Sequence, residues 1–203
     1  MGRKKKGITN LKPPPTRDIV GDIMKVYIIT DTHFGHGILV NNNHREMGYE
    51  TKILENLSKL KGDLLIHLGD ICIGGDEFWH KKLMEVTQGF KKKILIRGNH
   101  DNKSYNWYYN NGWDSVSEIA RMRLFGKEIV FSHMPILAEN IETSPYKKVD
   151  INIHGHLHGN GKYSHRAVEG YSEGFHYDCA VDTHNFKPVD LEKLLQTNES
   201  TPQ

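Results

Sequence analysis

Three apolar runs of strand length punctuate the first half of the chain: KVYIIT at 25–30, GDLLIHLGD at 62–70 and KKILIRGNHD at 92–101. Runs that are continuous rather than alternating predict strands covered on both faces, as in the sheets of α/β proteins. Between them, TKILENLSKL at 51–60 and DEFWHKKLMEV at 76–86 repeat apolar residues at steps of three and four, which predicts helices. After Asn102 the pattern loosens. SYNWYYNNGW at 104–113 predicts a short helix, and ARMRLFGKEIVFSH at 120–133 predicts two strands about the turn FGK. INIHGH at 151–156 and YDCAVD at 177–182 predict further strands, and VDLEKLLQ at 189–196 a closing helix with Asp190 near its start. The simplest assembly is a mixed parallel and antiparallel sheet system with helices outside.

Composition narrows the classes. A chain of 203 residues fits one large domain better than two small ones. Its longest apolar runs, YII at 27 and LLI at 64, fall far below the ~18 residues of a membrane span. A basic start with no apolar segment after it lacks the build of a secretory signal, and the expected localisation is cytoplasmic, with no membrane partner. Cys72 and Cys179 are far apart and outside any C-x-x-C pattern, so reduced cysteines are expected. The net charge of +2 is too small to announce a nucleic-acid binder, and much of it comes from Arg3, Lys4, Lys5 and Lys6 ahead of three prolines at 13–15. Residues 1–23 are therefore expected to form a flexible basic arm, 24–196 the domain, and 197–203 a disordered tail.

Chemistry gathers where the strands end. Asp31 and His33 follow the first run, Asp70 the second, Asn99, His100 and Asp101 the third, His133 follows IVFS, and His156 and His158 follow INIHG. In sheets of this kind, reactive residues sit in loops beyond the strand ends. Carboxylate, amide oxygen and imidazole suit borderline divalent ions, and the lack of thiolates argues against a structural zinc site. Two aspartates, one asparagine and four histidines exceed what one ion needs, whereas two ions sharing a carboxylate would use them all.

In that order the blocks Asp31-Thr32-His33, Gly69-Asp70, Gly98-Asn99-His100-Asp101, His133 and Gly155-His156-Leu157-His158 resemble the signature of the calcineurin-like metallophosphoesterases, over residues 25 to about 190. The resemblance implies a four-layer α-β-β-α sandwich with two mixed β-sheets and a di-metal site at the strand ends. It places Asp31, His33 and His158 on a first metal, Asn99, His133 and His156 on a second, and Asp70 between them. His100 would be catalytic and Asp101 would orient it. Two divalent ions are implied, manganese first, with iron, zinc, nickel or cobalt as alternatives; they would activate water for in-line attack without a covalent phosphoenzyme. His100 would protonate the leaving oxygen.

Other residues carry weaker expectations. His36 and Arg45 are candidates for substrate contact, with His44 and Arg97 behind them; His154, Asp182 and Asn185 are candidates for supporting the ligands. His67 reads as packed inside its strand, and His80, His165, His176 and His184 as surface or supporting residues. Trp107, Tyr108 and Tyr109 read as packing residues rather than a base-stacking platform. The spare segments, 34–50, 102–114, 134–148 and 159–176, are loops rather than a cap domain, and an open site suits phosphodiesters, nucleotides or nucleic acid among them. Rival readings are a phosphomonoesterase or protein phosphatase, a metal store, and an interaction scaffold that has kept the fold. Oligomeric state is not legible.

Overall fold

The structure, a computed structural model, describes residues 24–136, 149–159 and 175–199. Its first sheet contains β1 (Val26–Ile29), β2 (Gly62–His67), β3 (Phe90–Ile96) and β4 (Ser115–Ser117), all parallel, with the short β9 (Val189–Asp190) antiparallel on the outer edge of β1. The order is β4-β3-β2-β1-β9. In the second sheet β5 (Ile119–Leu124) and β6 (Lys127–Ser132) form the hairpin about Phe125-Gly126, and β7 (Ile151–His154) and β8 (His176–Asp178) extend it in parallel, in the order β5-β6-β7-β8. Both sheets are mixed, as expected.

The continuous apolar runs have the anticipated cause. Because side chains alternate along a strand, Ile29, Leu65 and Leu95 face one way and Val26, Ile28, Leu64, Ile66 and Ile96 the other. The first set packs under α2 (Tyr49–Ser58), α3 (Asp76–Val86) and α4 (Tyr105–Asn110), meeting Tyr49, Ile53, Leu57, Leu83 and Tyr108. The second set meets Ile129, Phe131, Ile151 and Ile153 of the facing sheet, and Leu191, Leu194 and Leu195 of the closing helix α5 (Leu191–Glu199) join this second core. Each run thus supplies two cores at once.

Several boundaries move for local reasons. The helix expected from 51 begins at Tyr49, after Gly48 turns the chain at φ 84°. YDCAVD does not stay extended: the Asp178 side chain accepts from Ala180 N–H at 2.9 Å, and residues Val181–His184 form a 3-10 turn. A five-residue helix α1 (Gly37–Asn41), the three-residue β4 and the two-residue β9 are too short for any periodicity to reveal. The basic arm lies outside the described residues, and α5 runs through 199, into the segment expected as tail. None of the described helices is long and apolar enough to cross a membrane. Isolated bridges, Thr30 with Ala180 and Phe34 with Cys72, draw the exits of β1, β2 and β8 together.

Candidate metal centre

Those exits converge on a cluster of carboxylates and imidazoles. Asp31 is fully buried just after β1. Its Oδ2 accepts from Thr30 Oγ at 2.8 Å and from His156 N–H at 2.9 Å. Oδ1 is buried with no hydrogen-bond partner, 3.8 Å from His33 Nε2 and 3.5 Å from His158 Nε2. Burial pushes this carboxyl upward, and a buried carboxylate oxygen without a partner needs a compensating cation. Asp31, His33 and His158 offer ligand atoms that all lie within 4.8 Å of one another.

Asp70, His133 and His156 form a second such group. His133 donates through Nδ1 to the Leu68 carbonyl at 2.8 Å, which leaves Nε2 facing Asn99 Oδ1 at 3.0 Å and His156 Nδ1 at 3.2 Å. Asp70 lies between the groups: its Oδ2 is 3.5 Å from His33 Nε2 and 3.4 Å from His133 Nε2. Burial works against charge on both partners of that second contact, but their mutual attraction prevails. His133 rises to about 9 and Asp70 falls to about 2, while burial drives His33 down to about 3. The donor set fits two divalent ions.

The backbone has to bend to aim these groups. Asp31, His33, Asp70, His156 and His158 all have left-handed φ, between 45° and 71°. For residues with a β-carbon this conformation costs roughly 1–3 kcal/mol apiece. It also explains the HGHLH cluster, whose two ligands diverge, His156 toward Asp70 and His133, His158 toward Asp31 and His33. The glycines ahead of Asn99 and His156 make room: a β-carbon at Gly98 would stand 2.2 Å from Asp70 Oδ1, and one at Gly155 would stand 2.1 Å from Asp31 Oδ2. His154 is buried in β7 and bonds the Gly155 carbonyl at 2.8 Å, at the turn that leads to His156.

His100 stands at the rim. Its backbone N–H donates to Asp70 Oδ1 at 2.9 Å, its Nε2 is 4.0 Å from Asp70 Oδ2, and 44% of its side chain is exposed. Asp101 does not orient it. The Asp101 carboxylate accepts instead from three backbone N–H groups, Asp70 at 2.8 Å and Gly98 at 2.8 Å on Oδ2 and Ile71 at 3.1 Å on Oδ1. It staples the β2 exit to the β3 exit. Burial pushes its carboxyl up to about 6, against the pull of those donors.

Arg45 is also corrected. It is 5% exposed, is paired with Asp182, and donates to main-chain carbonyls, so it is occupied inside the protein rather than presented to substrate. Asp182 accepts from His158 Nδ1 at 2.6 Å. Asn185 does not support a ligand: its side chain is exposed, and its contribution is a left-handed turn at φ 52° after the 3-10 segment. His36 stands beside the centre, its ring centroid 5.6 Å from that of His33. A cavity of about 400 Å³ next to His158 is lined by Leu39, His44, Arg45, His158 and Asp182.

Arg97 is engaged as well, with Glu118 at 3.0 Å and the Asp101 carbonyl. His67 is packed as expected, with Gly69 N–H donating to it and Thr32 beside it. His80 and His176 are buried rather than on the surface: His80 bonds the Asp76 carbonyl and packs on Trp107 and Tyr108, and His176 reaches the Ile136 carbonyl. Half-exposed His184 bonds the Asp178 carbonyl, and His165 lies outside the described residues. Tyr108 is core, whereas Tyr109 is exposed; both cysteines are free and buried. Sequence reasoning passed over Tyr49, whose hydroxyl donates to the His33 carbonyl; nothing in the pattern marks a helix's first aromatic as a support for a ligand.

Two mixed sheets whose strand ends present two three-residue groups of potential metal donors make an α/β protein with a candidate metal centre. Residues 24–170 match the calcineurin-like phosphoesterase superfamily domain, and the chain belongs to that superfamily. An uncharacterized protein of Methanocaldococcus jannaschii is 23% identical over 183 residues, covering 86% of this chain and 92% of that one. The crystal structure of a protein of unknown function from Aquifex aeolicus is similar over 85% of this chain and 98% of its own, at 26% identity and a TM-score of 0.66. A novel archaeal phosphodiesterase matches at 18% identity and a TM-score of 0.45, covering 66% of this chain and 73% of its own.

Proposed function

We propose that this chain is a cytoplasmic phosphodiesterase acting on nucleotide-like or other small diesters with two divalent ions, manganese first. The observation that carries the reading is the position of Asp70, within 3.5 Å of a donor from each group. Asp31, His33 and His158 would hold one ion, Asn99, His133 and His156 the other, with Asp70 common to both. When bound, such a pair supplies Lewis acidity and an activated water for in-line attack. The chain's own part is to fix the donors and to deliver a proton. Half-exposed His100, tethered through its N–H to Asp70, would protonate the leaving oxygen at its Nε2. Attack by water needs no side-chain nucleophile, and buried Cys72 and Cys179 have no part in it.

The preference for diesters follows from charge. A phosphomonoester carries nearly one more negative charge than a diester near neutral pH, since its second pKa is about 6. Among the described residues, the two arginines weighed for phosphate contact, Arg45 and Arg97, are held by carboxylates and carbonyls. Assays of bis-p-nitrophenyl phosphate against p-nitrophenyl phosphate, each with Mn²⁺, Ni²⁺, Mg²⁺ and Zn²⁺, test the reading. Diester turnover should exceed monoester turnover with at least one ion. A monoester preference throughout would make the chain a monoesterase, and ion binding without turnover of either ester would make it a scaffold.

A further inference from the structure

Arg45 links ligand-bearing loops that leave different sheets. It lies between α1 and α2, and its guanidinium donates through Nη1 to the Thr32 carbonyl at 2.9 Å and through Nη2 to the Asp31 carbonyl at 2.7 Å. The same fork meets Asp182, Nε to Oδ1 at 2.8 Å and Nη2 to Oδ2 at 2.7 Å. Asp182 in turn accepts a hydrogen bond from His158 Nδ1, which turns Nε2 toward Asp31. The guanidinium also lies 4.9 Å from the centroid of the Tyr49 ring, and the Tyr49 hydroxyl donates to the His33 carbonyl. One side chain therefore connects Asp31, His33 and His158, the whole of the first donor group. The second group is oriented by other groups: His133 by the Leu68 carbonyl, Asp70 by the His100 N–H, and the His156 N–H by Asp31 Oδ2, an oxygen that Arg45 does not touch.

We infer that Arg45 is a positioning residue that sets the affinity of the first ion independently of the second. The inference rests on the two-ion reading above but not on its substrate. Only a planar fork can meet a carboxylate with two parallel bonds while reaching two carbonyls; a lysine ammonium is a single point of charge. Loss of partners that orient metal ligands typically weakens metal affinity 10- to 100-fold.

The test is calorimetric titration of the metal-free full chain with Mn²⁺, together with its melting temperature, for the native sequence, Arg45→Lys and Asp182→Asn. The native chain should take up two ions. Each variant should bind one ion 10- to 100-fold more weakly and the other within about twofold of native. In an Asp31→Asn background, whose amide oxygen can still accept from the His156 N–H, adding Arg45→Lys should leave the remaining ion's affinity within about twofold. Equal weakening of both ions, or a lower melting temperature with both affinities kept, would overturn the inference, since that is how a merely structural residue behaves. If Arg45→Lys does not fold, Asp182→Asn decides alone by the same ratio. Uptake of a single ion by the native chain would instead sink the two-ion reading, and with it this inference.

Discussion

Removing the Asp101 carboxylate separates two accounts of that residue. Asp101→Ala leaves the N–H groups of Asp70, Ile71 and Gly98 without their acceptor, two of them at 2.8 Å and one at 3.1 Å, in a residue only 3% exposed. A buried donor left unsatisfied costs about 1–3 kcal/mol. Three that share one acceptor and partly relax together should cost about 4 kcal/mol, a large part of the roughly 5–15 kcal/mol that holds a domain folded. For a chain of this size that lowers the melting temperature by roughly 10 °C. Asp101→Asn should fall between, because one amide oxygen can serve Asp70 and Gly98 while its NH₂ confronts the Ile71 N–H. The assay is thermal unfolding of the metal-free protein at pH 7.5, above the value of about 6 to which burial raises this carboxyl, so that the side chain under test is the carboxylate that accepts all three N–H groups. Should Asp101→Ala melt within about 2 °C of native and merely slow turnover as a His100 variant does, the staple account fails and Asp101 acts through His100 after all.

Asp70→Ala should abolish uptake of both ions and all turnover together, measurable by metal analysis after dialysis, because its Oδ2 lies within 3.5 Å of a donor in each group. His100→Ala should keep two ions yet slow hydrolysis of a diester with a poor leaving group by roughly 10²-fold; an unchanged rate would remove the acid role. Gly98→Ala should weaken ion binding, since the new methyl must displace Asp70 Oδ1 from 2.2 Å away. For Asp182, burial raises the carboxyl but the bonds from His158 and Arg45 prevail, lowering it to about 2. A folded value below the unfolded ~3.9 means stability that is full above about pH 4 and lost as pH falls toward 2, about 2 kcal/mol in all. Acid unfolding of metal-free Asp182→Asn should lack that component.

The ligand blocks were legible because each follows a strand, and a parallel arrangement brings the strand exits to one edge. Asp31, Asp70 and His133 could be placed from their runs alone. What failed was the direction of side chains whose partners are remote in sequence. Arg45 reads as a free cation beside a histidine, yet its carboxylate is 137 positions away. Asp101 follows His100 directly, which suggests a pair, but the backbone there turns its carboxylate back toward residues 30 and 31 positions earlier. His80 reads as one polar residue on a helix, and only the approach of α4 encloses it. Adjacency in the sequence named the loops correctly and the hydrogen bonds within them wrongly.

The left-handed ligands have an evolutionary consequence. Five residues that hold the centre occupy backbone conformations that glycine adopts freely. For the ion-free chain, glycine at any of them would relieve local strain while erasing a donor. Selection for folding alone would favour that exchange where the side chain gives little in return, as at His33 with its partnerless buried Nδ1, and oppose it at Asp31 and Asp70, whose carboxylates accept from N–H groups. A laboratory drift experiment scored only on solubility should accumulate glycine at His33 before Asp31 or Asp70, and end with a folded protein that binds ions poorly.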